Sequence, residues 1–159
     1  MKGMEEKTNV MRALDKGKVC YQAHTYGDTG AVSGLEVARV LKENPDTVFK
    51  TLVTVGKSSA HYVFMVPVSK ELDLKKAAKS VGEKRVDMVA SRELLPLTGY
   101  IHGGCSPIGM KKQLRTVIDS SAEQHDRIFF SAGKIGYQIE TTLKELNKAL
   151  QFELHDVSE

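Results

Sequence analysis

Hydrophobic and polar residues follow two periods along this chain, one typical of β-strands and one typical of α-helices. The two strongest strand patterns, residues 48–55 and 61–67, are separated by a Gly-Lys-Ser-Ser turn, which predicts a β-hairpin. Shorter runs of β-branched and aromatic residues predict further strands. These shorter strands are expected over residues 19–26, 86–89, 116–119, 127–131 and 152–154.

Capping residues and apolar residues spaced three or four positions apart predict the helices. These helices are expected over residues 8–16, 33–41, 74–81, 92–95 and 143–150. The expected N-cap residues of four of them are Thr8, Ser33, Asp73 and either Thr141 or Thr142. Ser33 and Glu36 have the spacing of a capping box. Pro96 is expected to break the fourth helix after a single turn.

The order of these elements predicts a mixed fold. The count is roughly six or seven strands and four or five helices, and they do not alternate strictly along the chain. An α/β fold with a mixed sheet therefore fits better than a doubly wound parallel sheet. A chain of 159 residues is of the usual size for one domain, so residues 1–159 are expected to form a single domain.

A lysine interrupts the strongest strand pattern. Lys50 lies within Val-Phe-Lys-Thr-Leu-Val-Thr-Val, residues 48–55, where both alternating faces are largely apolar. An unpaired ammonium that is removed from water is costly, so such a position typically lines a cleft and meets an anion or a polar ligand. The alternative is an edge strand on which Lys50 prevents association with another sheet.

Composition excludes several classes of protein. Hydrophobic content of 41% and charged content of 27% are those of an ordinary globular domain, and no apolar run approaches the ~20 residues that span a bilayer. Residues 1–7 carry charges without an apolar segment, so no secretory signal is expected. Cys20 and Cys105 lack zinc-ligand spacing. We therefore expect a cytoplasmic protein without membrane contact or a zinc site.

The net charge of +3 is too small to indicate a nucleic-acid-binding protein by itself. Local groups of basic residues could still contact phosphates. The candidates are Lys75, Lys76, Lys79, Lys111, Lys112 and Arg115. For the three lysines on the predicted helix, an ordinary solvated face is the alternative explanation.

Two glycine-containing turns, residues 100–109 and 131–136, could bring backbone N–H groups close to a ligand oxygen. Together with Lys50, such turns suit the binding of an ester or carboxyl group, as in acyl transfer or hydrolysis. Acyl transfer or hydrolysis also requires a nucleophile, and the sequence contains no clear candidate for one. Cys105, three residues after His102, is a candidate, but a lone buried cysteine is more often a small hydrophobic residue.

Four motifs of the sequence resemble those of a known family, the YbaK/EbsC group of Cys-tRNA(Pro) deacylases. The motifs that carry the resemblance cover nearly the whole length of the chain. They are His-Thr-Tyr at 24–26, Val-Phe-Lys-Thr-Leu at 48–52, Leu-Asp-Leu-Lys-Lys-Ala at 72–77 and Gly-Tyr-Ile-His-Gly-Gly-Cys-Ser-Pro-Ile-Gly at 99–109.

The resemblance implies a trans-acting editing enzyme, similar to the insertion domain of bacterial prolyl-tRNA synthetases, that removes cysteine from mischarged Cys-tRNA(Pro). It implies a mixed sheet that closes toward a barrel surrounded by helices, and a reaction without metal or cofactor. The substrate's own thiol would attack the ester carbonyl, so no protein nucleophile is required. The implied partners are the acceptor end of an aminoacylated tRNA and, as a further candidate, prolyl-tRNA synthetase.

The resemblance also assigns the site residues. Lys50 would be the catalytic residue, which holds the polar end of the aminoacyl-adenosine and stabilises developing charge. Substrate contacts are expected from Tyr26, Gly103, Gly104, Ser106, Ser131 and Gln138. Gln138 takes the place of an aspartate of the family, which leaves the amino-acid preference open. Two alternatives also stay open: an Ala-tRNA deacylase of the same fold, and a non-catalytic module that binds an amino acid or aminoacyl group.

Overall fold

The computed structural model of the protein describes residues 7–159. The prediction about a secretory signal rests on residues 1–7, of which 1–6 lie outside the described residues. The α-helices are α1 Asn9–Lys16, α2 Gly34–Val40, α3 Leu74–Val81, α4 Ser91–Thr98 and α5 Leu143–Leu146. The strands are β1 Gln22–Thr25, β2 Phe49–Gly56, β3 His61–Pro67, β4 Val86–Met88, β5 Arg115–Asp119, β6 Ile128–Ser131, β7 Tyr137–Thr141 and β8 Glu153–His155.

The strands form two sheets. One has the order β1-β7-β6, and the other has the order β4-β2-β3-β5-β8. The larger sheet is mixed, because β2 pairs antiparallel with β3 while β5 pairs parallel with both β3 and β8. Among the described residues, one parallel bridge, between Val48 and Phe129, links the two sheets. The predicted α/β fold with mixed pairing is confirmed, but the strands are divided between two sheets that do not close into a barrel.

Local hydrogen bonds explain why the predicted helices begin where they do. The Thr8 hydroxyl accepts from the N–H of Met11 at the start of α1, and the reciprocal Ser33–Glu36 capping box begins α2. Asp73 caps α3 through two N–H groups. None of the helices within residues 7–159 is both long and apolar enough to cross a membrane.

Two helix predictions are wrong in their extent. Pro96 lies inside α4, which continues to Thr98. Proline removes one N–H donor, and the hydroxyl of Thr98, which donates to the carbonyl of Leu94 at 2.7 Å, supplies another bond to this last turn. The last helix, α5, ends at Leu146 instead of residue 150, and it begins at the Thr142 cap.

The strand predictions also differ from the structure at two places. The first strand is shorter than residues 19–26, since β1 covers only Gln22–Thr25. Strand β7, Tyr137–Thr141, was not predicted, because it is only five residues long and directly follows a glycine turn. This strand lies at the centre of the smaller sheet, between β1 and β6.

The main hydrophobic core packs both sheets and α1 against one another. It includes Phe49 and Val63 of the larger sheet, Phe130 and Ile139 of the smaller sheet, and Leu14 of α1. A second cluster lies on the opposite face of β3, where α3 covers the larger sheet. Strands β2 and β6, which flank the Val48–Phe129 bridge, are therefore fixed by packing in the main core.

Candidate functional site

One edge of β2 is left partly unpaired. On that edge, within residues 7–159, β4 pairs only with Thr54, Val55 and Gly56, and β6 pairs with this segment only through the bridge to Val48. The antiparallel register with β3 alternates, so the backbone N–H and C=O of Thr51 face the unpaired edge. The two sheets diverge at this point, and a cavity opens between them.

This cavity has a volume of about 580 Å³, which is within the usual range of small-molecule sites. Its inner wall is largely apolar and includes the core residues Phe49 and Phe130. Exposed Val32, Leu35 and Met88 also line it. Five of the seven residues that the sequence predicts for the site belong to its lining: Tyr26, Lys50, Gly103, Ser131 and Gln138.

Lys50 lies in the β2 wall of the cavity. Its Nζ is 3.3 Å from Oε1 of Glu71, with 27% of the lysine side chain and 79% of the glutamate side chain exposed. An ion pair with so exposed a partner contributes about 0–1 kcal/mol to stability. Lys50 is thus a half-buried cation in a cavity wall, and its solvent-exposed partner can be exchanged for a ligand anion at little cost.

Gly103 lines the cavity on a glycine turn. Its φ of +90° is one that glycine adopts readily, and a Cβ atom at this position would lie 3.2 Å from Cγ1 of Val32. Among the described residues, no acceptor bonds the N–H of Gly103. Gly104 differs, because its N–H donates to the carbonyl of Ile101 at 3.0 Å and it lies outside the lining.

The two predicted serines have different surroundings. Ser106 is fully buried, it does not line the cavity, and its Oγ accepts from the N–H of Ile108 at 3.4 Å. Ser131 lines the cavity, and its Oγ accepts from the N–H of Gly133 at 3.1 Å. The structure therefore brings Ser131, and not Ser106, to the site.

Cys105 also lines the cavity, but burial raises the pKa of its thiol to about 12. A thiol with that pKa is protonated at neutral pH, and the protonated form is a poor nucleophile. Within residues 7–159, no hydrogen bond joins Cys105 to His102. The described residues also contain no group of three His, Cys, Asp or Glu side chains that could hold a metal ion.

Gln138 of β7 lines the opposite wall, where the residue is 2% exposed. Its Nε2 donates to Oε1 of Glu43 at 2.9 Å, while its own Oε1 is buried and has no partner among the described residues. Burial raises the pKa of Glu43, although the bond from Gln138 opposes this effect. Tyr26 lies nearby in the lining and is 4% exposed.

Sequence reasoning missed Glu43 and Thr51. Glu43 follows α2 in Leu-Lys-Glu-Asn-Pro, where only the end of a helix was visible, and no spacing connects it to Gln138. Thr51 lies beside Lys50, yet its hydroxyl is an ordinary feature of a strand. The structure shows that Thr51 lines the cavity and that its buried Oγ1 has no partner within residues 7–159.

The six basic residues predicted to contact phosphates differ in whether they already bind other groups of the protein. Lys76 contacts Asp156 at 3.2 Å and the carbonyl of Ser158 at 3.0 Å. Arg115 forms a two-point contact with Glu153, at 2.6 and 3.0 Å. The remaining four candidates are exposed: Lys75, Lys79, Lys111 and Lys112.

A family model and a curated relative both relate this chain to proteins that edit aminoacyl-tRNA. The family model for the aminoacyl-tRNA editing domain matches residues 30–149. EbsC of Enterococcus faecalis, which carries the provisional name Cys-tRNA(Pro)/Cys-tRNA(Cys) deacylase, is 45% identical over 140 residues. That match covers 87% of this chain and 85% of EbsC.

Two solved structures share the fold. The hypothetical protein APE2540 matches with a TM-score of 0.87 and 21% identity, over 96% of this chain and 100% of that chain. A protein provisionally described as a trans-editing enzyme for prolyl-tRNA synthetase matches with a TM-score of 0.82 and 24% identity, over 97% of this chain and 99% of that chain. At these identities the similarity establishes the fold alone.

Proposed function

The chain belongs to the aminoacyl-tRNA editing domain family, and from that premise we propose that it is a trans-acting deacylase that removes cysteine from mischarged Cys-tRNA(Pro). One observation carries the proposal. A single cavity is lined by Lys50 and by Gly103, whose N–H has no acceptor among the described residues, while its thiol, that of Cys105, is protonated at neutral pH. Such a site can stabilise charge on an ester without attacking it.

The attacking group would then be the thiol of the substrate. Its sulfur forms a bond to the carbonyl carbon, the ester C–O bond breaks, and the thiol proton passes to the leaving ribose oxygen. The products are a cysteine thiolactone and uncharged tRNA, and water opens the thiolactone to cysteine. The first step is therefore an intramolecular cleavage, and the overall result is hydrolysis.

Lys50 and Gly103 have distinct roles in this reaction. Negative charge develops on the carbonyl oxygen as sulfur attacks, and preorganised donors in a water-poor cavity stabilise it. Lys50 supplies a full positive charge that its exposed partner Glu71 does not hold tightly. Gly103 supplies a fixed N–H on a turn that Val32 packs against. Tyr26 and Ser131 would shape the space around the aminoacyl group.

The proposed setting is the cytoplasm, where tRNA is charged. The substrate end is the aminoacylated acceptor terminus, and prolyl-tRNA synthetase is the proposed source of the mischarged tRNA. The exposed cations Lys75, Lys79, Lys111 and Lys112 are the candidate contacts to phosphates of the tRNA body. Such contacts make activity fall as salt concentration rises.

A deacylation panel tests the proposal. The protein is incubated with tRNA(Pro) charged with cysteine, alanine or proline, and with Cys-tRNA(Cys), and release of the amino acid is followed over time. We expect rapid release of cysteine from tRNA(Pro) and slow release of alanine, which has no thiol. Equal release of alanine would indicate an Ala-tRNA deacylase instead. Binding without release of any amino acid would indicate a non-catalytic aminoacyl-binding module.

A further inference from the structure

A second cavity in the protein, of about 310 Å³, is lined by basic residues. Three cationic residues, Lys7, Arg12 and Lys134, belong to its lining, and no aspartate or glutamate among the described residues does. They come from two separate segments, residues 7–12 and the turn 131–136. Like charges gathered in one concavity attract an anion, because the field of each adds to that of the others. This space, the basic cavity, therefore has the charge of an anion site.

Two of these cations are held only loosely by the protein's own groups. Arg12 donates at 2.9 Å to Oδ1 of Asn9, which is a neutral amide oxygen, and no carboxylate among the described residues forms an ion pair with it. Lys7 forms an ion pair with Asp15 in which both side chains are exposed, and such a pair stabilises a protein little. An incoming anion can therefore replace these partners without a large loss.

The basic cavity adjoins the first cavity across its two glycine turns. In the turn 131–136, Ser131 lines the first cavity and Gly133 lines the basic cavity. In the other turn, Gly103 lines the first cavity, while Tyr100, three residues earlier, lines the basic cavity. Two residues of chain span at most about 7 Å, so the backbone at Ser131 and at Gly133 is no farther apart than that. The two cavities are therefore neighbours.

Building on the proposed function, we infer that the basic cavity binds a backbone phosphate of the tRNA strand that ends in the aminoacyl ester. The ester is attached to the terminal ribose, and the nearest phosphate belongs to the same nucleotide. When the ester occupies the first cavity, the strand therefore brings phosphates close to that cavity, and the basic cavity is the adjacent cationic space. Arg12 suits this ligand, because its planar guanidinium can donate two parallel hydrogen bonds to phosphate oxygens.

This contact positions the substrate without reading its sequence. Phosphates are the same at every nucleotide, so protein contacts to them fix the register and orientation of a strand and carry no sequence information. The phosphate in the basic cavity and the ester beside Lys50 hold the terminal nucleotide at two points, which favours a reactive geometry. The choice of amino acid stays with the first cavity, and the basic cavity serves any aminoacylated tRNA.

The test compares two uncleavable trinucleotides that have the sequence cytidine-cytidine-adenosine and carry cysteine through an amide in place of the ester. One has phosphodiester linkages, and the other has uncharged methylphosphonate linkages. Their dissociation constants are measured by calorimetry at low and at high salt concentration. We expect the protein to prefer the charged trinucleotide by about tenfold or more at low salt, and we expect this preference to shrink as salt rises. Equal affinity for the two trinucleotides would overturn the inference.

Variants assign that preference to the basic cavity. Arg12→Ala and Lys134→Ala should each reduce it severalfold, because each removes one positive charge from the lining. Lys16→Ala is the matched control and should keep the full preference, since Lys16 lies on α1 as Arg12 does, is exposed and lines neither cavity. Damage to folding would weaken both trinucleotides together and leave their ratio unchanged. A full preference in both Arg12→Ala and Lys134→Ala would contradict the inference.

Inorganic phosphate distinguishes a strand contact from a site for a free anion. We expect it to bind far more weakly than the charged trinucleotide, since it has no group in the first cavity. Tight binding of inorganic phosphate, together with equal affinity for the two trinucleotides, would overturn the assignment to the strand. These outcomes are independent of cleavage. A protein that prefers the charged trinucleotide but releases no amino acid contradicts the proposed function alone, and one that cleaves Cys-tRNA(Pro) without that preference contradicts this inference alone.

Discussion

The two walls of the cavity hold their polar groups in different ways. On the larger sheet, Lys50 meets a partner, Glu71, whose side chain is 79% exposed. On the smaller sheet, Gln138 is 2% exposed and is fixed by a half-buried glutamate, Glu43. The first contact exchanges easily with solvent or ligand, whereas the second is held by burial and by the ladder of β7 with β1 and β6.

We propose that this difference separates two tasks within one site. Charge that develops during a reaction needs a cation that can leave its resting partner, and Lys50 fulfils that condition. Gln138, in contrast, is buried in a fixed orientation, which suits a group that shapes the pocket and does not move during the reaction. We therefore expect changes in the Lys50 wall to affect the rate of cleavage and changes in the Gln138 wall to affect ligand selection.

The largest effect is expected from Lys50→Ala. Removing a charged donor from the reacting oxygen should lower kcat/KM for Cys-tRNA(Pro) by about 100-fold or more. The unfolding temperature should change little, since the Lys50–Glu71 pair is worth at most about 1 kcal/mol. Single-turnover deacylation and thermal unfolding measure the two quantities. Lys57→Ala, which removes an exposed lysine from the same hairpin outside the cavity lining, is the control and should leave both unchanged.

A smaller effect on cleavage is expected from Gly103→Ala. The φ of +90° costs a non-glycine residue about 1–2 kcal/mol, and the new methyl group would approach Val32 at 3.2 Å. We expect a loss of stability together with a loss of activity of about tenfold, as the loop moves its N–H. Gly82→Ala, at a φ of +76° where the added methyl group would meet no atom of the described residues within 4 Å beyond its chain neighbours, should lose stability and keep activity. Equal activity of the two variants would contradict the proposed contact between Gly103 and the reacting ester.

Cys105→Ala tests whether the thiol in the cavity takes part in cleavage. Because burial raises the pKa of Cys105 to about 12, we expect the deacylation rate to be nearly unchanged and stability to fall by about 1 kcal/mol. Deacylation of Cys-tRNA(Pro) and chemical unfolding are the measurements. A loss of activity comparable to that of Lys50→Ala would show that the protein supplies the nucleophile after all.

The smallest effect concerns an ion pair outside both walls. Arg115 lowers the pKa of Glu153 from 4.5 to about 2. A carboxylate whose folded-state pKa is lowered stabilises the fold above its unfolded pKa, and the contribution disappears as the pH falls from 4.5 toward 2. Since both side chains are more than a third exposed, we expect less than about 1 kcal/mol.

The variant Glu153→Gln isolates this contribution. The difference in unfolding free energy between the parent protein and the variant should be present at pH 6 and should shrink as the pH approaches 2. Deacylation at neutral pH should be unaffected. A difference that grows toward acid pH would contradict the assignment of the lowered pKa to Glu153, and a loss of deacylation would extend the site beyond the cavity.

The two walls also differ in how far the sequence predicted them. Lys50 stands out because a strand pattern surrounds it on both sides, and its hairpin partner follows after a short turn. Caps such as Ser33 with Glu36 are local in the sequence, so the element that carries Val32 and Gly34 to the cavity was predictable as well. Sequence patterns predicted these parts of the site because residues close together in the sequence determine their structure.

The Gln138 wall depends on contacts between distant segments. The strand Tyr137–Thr141 is short and directly follows a glycine turn, so its alternating residues alone did not distinguish it from a loop. It forms because β1 and β6 pair with it on both sides. Glu43 reaches Gln138 only after this sheet is assembled. The placement of Gly104 and Ser106 likewise depends on how their loop folds, which glycine and proline positions alone do not determine.

The most direct test of the central claim replaces the sulfur of the substrate by oxygen. Cys-tRNA(Pro) and Ser-tRNA(Pro), which differ in one atom of the side chain, are compared in single-turnover cleavage by the parent protein. Thiolates are much better nucleophiles than hydroxyls at neutral pH, so we predict that cysteine is released faster by about 100-fold or more, with a thiolactone as the first product. Equal rates for cysteine and serine would contradict cleavage by the substrate's own thiol.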